Sequence, residues 1–215
     1  MRLGTLMLDD GFNEGQKKFL DFFEGDMDSN FMITVRDMIR KSKASLLQYR
    51  SALKVSDDLA QKLVGPCELI DEWFGFLSQL CEGHNTATQN ILREQTGANK
   101  TFNIIEETLE LIVLQGKDLT ELREMRDTEA EWLVATMDFI VEALEGPCVG
   151  NQNMILKQPK ILDVCKNILG CPFKRVRRAK DGTRSEAKRR NEDCDDLSNT
   201  IKILPFFATH FACRR

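Results

Sequence analysis

Helical periodicity is the feature that most constrains this chain. Apolar side chains recur at three-and-four spacing through long stretches, and the runs stop at glycines. From Glu68 to Cys81, the residues Leu69, Ile70, Trp73, Phe74, Leu77, Leu80 and Cys81 make one wide stripe. Phe102, Ile105, Leu109, Ile112 and Val113 repeat the pattern. Leu122, Met125, Trp132, Leu133, Thr136, Met137, Ile140 and Leu144 carry it over a still longer stretch. No strand-type alternation competes with it. Trp73, Trp132 and Met137 fall on these stripes and are read as core side chains.

The boundaries between runs are also legible. Gly116 suits the left-handed end of one helix, and Asp118 with Glu121 reads as a capping box opening the next. Gly65-Pro66 and Gly146-Pro147 mark two more, each proline suiting the first turn of the next helix. The expected fold is all-α: helices joined by short loops, most naturally an armadillo-like array without a strict sequence period. Residues 1–64 are expected to be N-terminal helices continuing a truncated helical-repeat region, and 65–170 the armadillo-like body.

Beyond Gly170 the character changes. Lys174, Arg175, Arg177, Arg178, Lys180, Arg184, Lys188, Arg189 and Arg190 face only Asp181 and Glu186, and an acidic patch, Glu192, Asp193, Asp195 and Asp196, comes next. Residues 171–215 therefore read as a basic-then-acidic disordered tail. Its closing apolar stretch, Ile201 to Phe211, is too short to span a bilayer, and no other run is long enough. A net charge of −4 argues against an electrostatic nucleic-acid binder. The seven cysteines are odd in number and irregularly spaced, which points to reduced thiols rather than a disulfide frame.

Two strings place acids where a helix disfavours them: Cys81-Glu82-Gly83-His84-Asn85 and Glu142-Ala143-Leu144-Glu145-Gly146-Pro147-Cys148. A helix C-terminus carries partial negative charge from unpaired carbonyls, so an exposed acid there costs about 0.3–1 kcal/mol. A bound cation would turn that liability into a site. On periodicity alone, Glu82 and Glu142 are two surface acids on helix ends.

Leu80-Cys81-Glu82-Gly83-His84-Asn85, Thr88-Gln89-Asn90, Leu92-Arg93-Glu94-Gln95-Thr96-Gly97 and Asn103-Ile104-Ile105 resemble a segment of the ryanodine and inositol trisphosphate receptors. Gly146-Pro147-Cys148 followed by Gly150-Asn151-Gln152 is a second signature, in the expected order. Leu3-Gly4-Thr5-Leu6-Met7-Leu8, with Gly11, Asn13, Gln16 and Leu20, is similar to the helix preceding the receptors' homology-associated domain. The resemblance covers residues 2–170 and assigns that domain to 65–170. It implies a regulatory helical-repeat segment on the cytosolic face of the endoplasmic or sarcoplasmic reticulum membrane. Its partners would be the other domains of a tetrameric calcium-release channel, including a pore and a C-terminal domain. It also implies that Glu82 and Glu142 contribute carboxylates to an activating Ca2+ site, completed by a carbonyl from the C-terminal domain. The family usually has glutamine where Glu145 stands; this extra carboxylate either tightens the site or points to solvent. Because the sequence begins inside a family helix and leaves the pattern after Gly170, a piece of a longer protein is expected.

Calcium takes six to eight oxygens at roughly 2.3–2.6 Å, so two carboxylates plus helix-end carbonyls make an incomplete set. Rival readings of other residues are weaker. Asp26-Met27-Asp28-Ser29-Asn30 resembles the start of an EF-hand loop, but Phe31 occupies the position that needs glycine. Cys81 and His84 have the spacing of a zinc half-site without a second pair. Asn99-Lys100-Thr101 reads as a loop. No catalytic constellation is recognisable, so an enzyme is not expected. The alternative function is a free-standing armadillo-type protein-binding scaffold; contact of the 174–190 run with anionic lipid or nucleic acid is a third reading.

Overall fold

The computed structural model describes residues 2–8, 12–63 and 69–171. Within them are eleven helices and no strand: α1 (Arg2–Met7), α2 (Asn13–Gly25), α3 (Asn30–Leu53), α4 (Asp57–Gln61), α5 (Leu69–Cys81), α6 (Thr86–Arg93), α7 (Ile104–Gly116), α8 (Leu119–Arg123), α9 (Asp127–Leu144), α10 (Val149–Leu156) and α11 (Pro159–Gly170). The all-α expectation holds for these residues. The expected tail beyond Cys171 and the Gly65-Pro66 boundary lie outside them.

The helices fall into three successive trios, α1–α3, α5–α7 and α9–α11, with the five-residue helices α4 and α8 as connectors. Each helix packs on its counterpart in the next trio. Thus α1 meets α5 and α5 meets α9; α2 meets α6 and α6 meets α10; α3 meets α7 and α7 meets α11. One apolar core runs through the stack from Leu8 to Cys171. The middle trio has a neighbour on both sides, which explains why α5 buries more than its predicted stripe. Phe76 is enclosed along with Ile70, Phe74, Leu77, Leu80 and Cys81. Cys81, Cys148, Cys165 and Cys171 are buried free thiols, in line with their irregular spacing. Burial pushes the Cys165 thiol up to about 11.

Four local expectations need correction. Phe102 lies outside its helix, because Asn103 caps α7 by accepting from the Glu106 N–H. The long stretch from Leu122 to Leu144 is two helices, α8 and α9, separated by extended backbone at Arg126, whose guanidinium pairs with Asp57 across the stack. Asp118 does cap α8, accepting from the Thr120 and Glu121 N–H groups. The reciprocal half of a capping box is missing, because Glu121 instead pairs with Arg50.

Gly116 is the fourth correction. It does not adopt a positive φ; it is the last residue of α7 and a point of close contact. A Cβ there would sit 2.5 Å from Val164 Cγ1 on α11, so the glycine lets two helices of successive trios approach. Arg50 secures the same junction, donating to the carbonyls of Leu114 (3.1 Å) and Gln115 (2.9 Å) and pairing with Glu129 and Glu121. Glycine to alanine inside a helix ordinarily stabilises by about 1 kcal/mol. Here Gly116→Ala is expected to destabilise by about 1–3 kcal/mol through overpacking. Most of that loss should be recovered in the Gly116→Ala, Val164→Ala double variant, as read by chemical denaturation.

Candidate functional site

The C-terminal ends of α5 and α9 lie next to each other. Both chains turn out of the helix through a left-handed glycine, Gly83 (φ 72°) and Gly146 (φ 77°). The helices run in the same direction. Near their starts, burial and then the charge of Glu131 raise the Asp71 carboxyl; near their ends, Glu82 acts on Glu142. The same 60-residue interval separates the members of each pair, as expected for two parallel helices in register. The turns also touch, since a Cβ on Gly146 would meet His84 Cβ at 2.7 Å.

Side-chain amides from the short helices hold these ends. Gln16 of α2 donates Nε2 to the carbonyls of Gln79 (2.8 Å) and Glu82 (2.9 Å) at the end of α5. Gln89 of α6 does the same one trio later, to Glu142 (2.7 Å) and Glu145 (2.9 Å) at the end of α9. Each glutamine is the fourth residue of its helix and each pair of acceptors is three residues apart. Asn151 Nδ2 adds a bond to the Ala143 carbonyl at 2.7 Å, and Gln152 Nε2 reaches Leu144 (3.1 Å) and Gly146 (2.8 Å). The carbonyls expected to supply oxygens to a cation are therefore already engaged as acceptors. Asn85 Nδ2 completes the first glutamine by donating to Gln16 Oε1 at 3.1 Å. Cys148 holds the equivalent N-cap position in the next trio and has no amide, and the buried Gln89 Oε1 has no partner.

Four ionisable side chains gather around this frame. Burial, then the charges of Glu145 and Glu82, push the Glu142 carboxyl above its ordinary value; His84 pulls it down and Asp138 adds to the rise. His84 Nδ1 stands 3.9 Å from Glu145 Oε2, and both side chains are about half exposed. Glu82 and Glu142 are each partly buried. The structure thus brings Glu82, Glu142 and Glu145 into one electrostatic neighbourhood at the paired helix ends. Beneath them Cys81 is fully buried, its thiol raised by burial and then by the charge of Glu142.

This grouping is open rather than a closed cage. Among the described residues, no set of three or more His, Cys, Asp and Glu side chains is arranged to hold a metal by itself. The carboxylates suit a hard divalent cation in kind, but fall short of six to eight oxygens in number. The zinc half-site is not formed, because Cys81 faces the core while His84, at φ 61°, is turned outward. The EF-hand-like string is the α2–α3 turn. Asp26 accepts from Asn30 Nδ2 and the Phe31 N–H, and Asp28 accepts from Asn99 Nδ2. Asn99-Lys100-Thr101 is in the α6–α7 loop.

Residues 64–169 match the family described as RyR and IP3R Homology associated. This segment is a member of that family. The RyR and IP3R homology-associated domain therefore takes in both paired helices and all three acids. Across 123 residues the chain is 28% identical to the inositol 1,4,5-trisphosphate receptor itr-1 of Caenorhabditis elegans. That match covers 55% of this chain and 4% of the receptor. The homology-associated family is one of calcium-release channel domains rather than enzymes. Among the described residues, no helix is long and apolar enough to cross a membrane.

Gln16 and Gln89 belong to the strings that carry the resemblance, but their clamping role is a finding of the structure alone. A sequence signal for the repeat does exist: Glu82-Gly83 precedes Gln89 with the same spacing by which Glu145-Gly146 precedes Gln152.

The raised Glu142 carboxyl has a pH consequence. Its folded value lies above its ordinary one of 4.5, so the charged form is less at ease folded than unfolded. The associated stability is fully present below about pH 4.5 and is lost as pH rises through the folded value. Glu142→Gln should therefore raise stability at pH 7 by up to about 1 kcal/mol, allowing for screening. The gain should disappear below about pH 4.5 when denaturation midpoints are compared.

Proposed function

We propose that this chain is an armadillo-like stack acting as a cytosolic regulatory segment of a calcium-release channel on the endoplasmic or sarcoplasmic reticulum. In this reading residues 65–170 are the regulatory domain and 1–64 continue the helical repeats that precede it. Glu82 and Glu142 supply carboxylates to an activating Ca2+ site, with Glu145 as an additional anionic oxygen donor. The observation that carries the proposal is the contact between the two exit turns, where Gly146 packs on His84 and His84 faces Glu145, which sets Glu82, Glu142 and Glu145 at one pair of clamped helix ends. Like charges held together in this way are relieved by a divalent cation, which supplies the positive charge the site lacks.

Gln16 and Gln89 have a positioning role in this scheme. By fixing the ends of α5 and α9 they hold the carboxylates in place, so little reorganisation is needed when a cation arrives. The remaining oxygens come from water and from another domain of the assembled channel. Binding is then sensitive to how the two domains sit, and calcium shifts the channel only by its differential affinity for one arrangement.

The test is calcium activation of an assembled channel carrying this segment. Glu82→Gln and Glu142→Gln are each expected to move half-activation to calcium concentrations about tenfold higher or more, within the usual range of coupling free energies. Unchanged calcium sensitivity in both variants would remove the assignment.

A further inference from the structure

The two exit turns at the candidate site are held unequally. At the α9 exit, side-chain amides reach every carbonyl from Glu142 to Gly146: Gln89 takes Glu142 and Glu145, Asn151 takes Ala143, and Gln152 takes Leu144 and Gly146. Arg93 secures Asn151 in turn, donating to its Oδ1 at 2.7 Å. At the α5 exit, Gln16 clamps the helix end through Gln79 and Glu82. Past that clamp, Thr86 Oγ1 donates to the His84 carbonyl at 3.2 Å, on the exposed side.

The residues that could make up the difference do not. Thr88 follows Gly83 at the distance by which Asn151 follows Gly146. It is fully buried, and its hydroxyl finds no partner among the described residues. Gln89 has the same relation to Gln152, but it turns forward to α9 rather than back to its own exit.

The backbones differ in the same sense. Gly146 is followed by Pro147, whose ring fixes φ. Gly83 is followed by His84 at φ 61°, a second consecutive left-handed residue and one that carries a Cβ. Such a conformation persists only where its surroundings hold it. Here the surroundings are open: a Cβ on Gly83 would meet nothing within 4 Å, and the His84 side chain is half exposed. His84 rests on Gly146 and faces Glu145 across the paired exits. A segment with few buried contacts is the one that opens first.

We propose that the Gly83–His84 turn is a flap over the acids. Its movement lifts His84 off Gly146 and Glu145, while Gln16 keeps the α5 end in place and the α9 exit stays fixed. Access to Glu142 and Glu145 is then set by one turn rather than by a shift of whole helices. That the flap admits a cation rests on the function proposed above; the unequal mobility of the turns does not.

The test is 15N relaxation dispersion on the 215-residue chain without calcium, so the result stands whether or not the acids bind the ion. Amides of Gly83, His84 and Asn85 should show microsecond-to-millisecond exchange, and those of Gly146 and Cys148 none. Gln152→Ala frees the Leu144 and Gly146 carbonyls and should bring exchange to Gly146 and Cys148 as well. Amides of α7 serve as the control for folding and should stay quiet in both chains. A parent chain with no exchange at Gly83–Asn85, or with equal exchange at the two turns, would overturn the proposal. So would a folded Gln152→Ala variant in which Gly146 and Cys148 remain quiet.

Discussion

The structure depends on how the carbonyls at its helix C-termini are satisfied. Every α-helix ends with carbonyls that lack intrahelical partners, and a stack of short helices inside one core multiplies that problem. Here the answer is a donor side chain from a neighbouring helix at each critical end: Gln16 on α5, Gln89 and Asn151 on α9, Arg50 and Asn167 on α7. Left unpaired in the interior, such groups cost about 1–3 kcal/mol each. The clamps also fix direction, since a glutamine reaching two carbonyls three residues apart permits only one orientation of the incoming helix end. That constraint sets successive first helices parallel and brings their exits together.

The candidate site is a product of this arrangement. Parallel helices in register place equivalent turns side by side, so acids in the exit turns of α5 and α9 become neighbours. Their carbonyl ends already accept amide donors, which leaves each of those oxygens fewer free lone pairs for any other partner. What remains is a cluster of carboxylates under mutual repulsion, half open to solvent, above a buried thiol. In the proposed reading, a cation held with the help of another domain would relieve that repulsion, which suits a role in sensing better than one in storage.

The helices are legible in the sequence because their apolar periodicity is strong, and the exits of α5 and α9 because only glycine adopts their left-handed turns cheaply. Gly116 misleads because a glycine near a helix end signals either a left-handed turn or a close approach, and only Val164 of α11 distinguishes them. The α8–α9 break has no local signal, because Arg126, a good helix former, is held extended where its guanidinium meets Asp57. The threefold repetition is hidden for a different reason. The trios share packing positions and one glutamine rather than a run of similar residues. Glu82, Glu142 and Glu145 stand out in the sequence, but their convergence depends on the parallel packing, which no local pattern encodes. The clamping amides are invisible as such because their acceptors lie more than fifty residues away.

The central claim is that Glu82 and Glu142 meet at the paired helix ends. It is tested most directly by following the side-chain carboxyl carbons of both residues by NMR as a function of pH. The account predicts that Glu142 titrates above its ordinary value and moves down when Glu82 is replaced by glutamine, since the charge of Glu82 raises it. A Glu142 titration unaffected by the loss of Glu82 would contradict it.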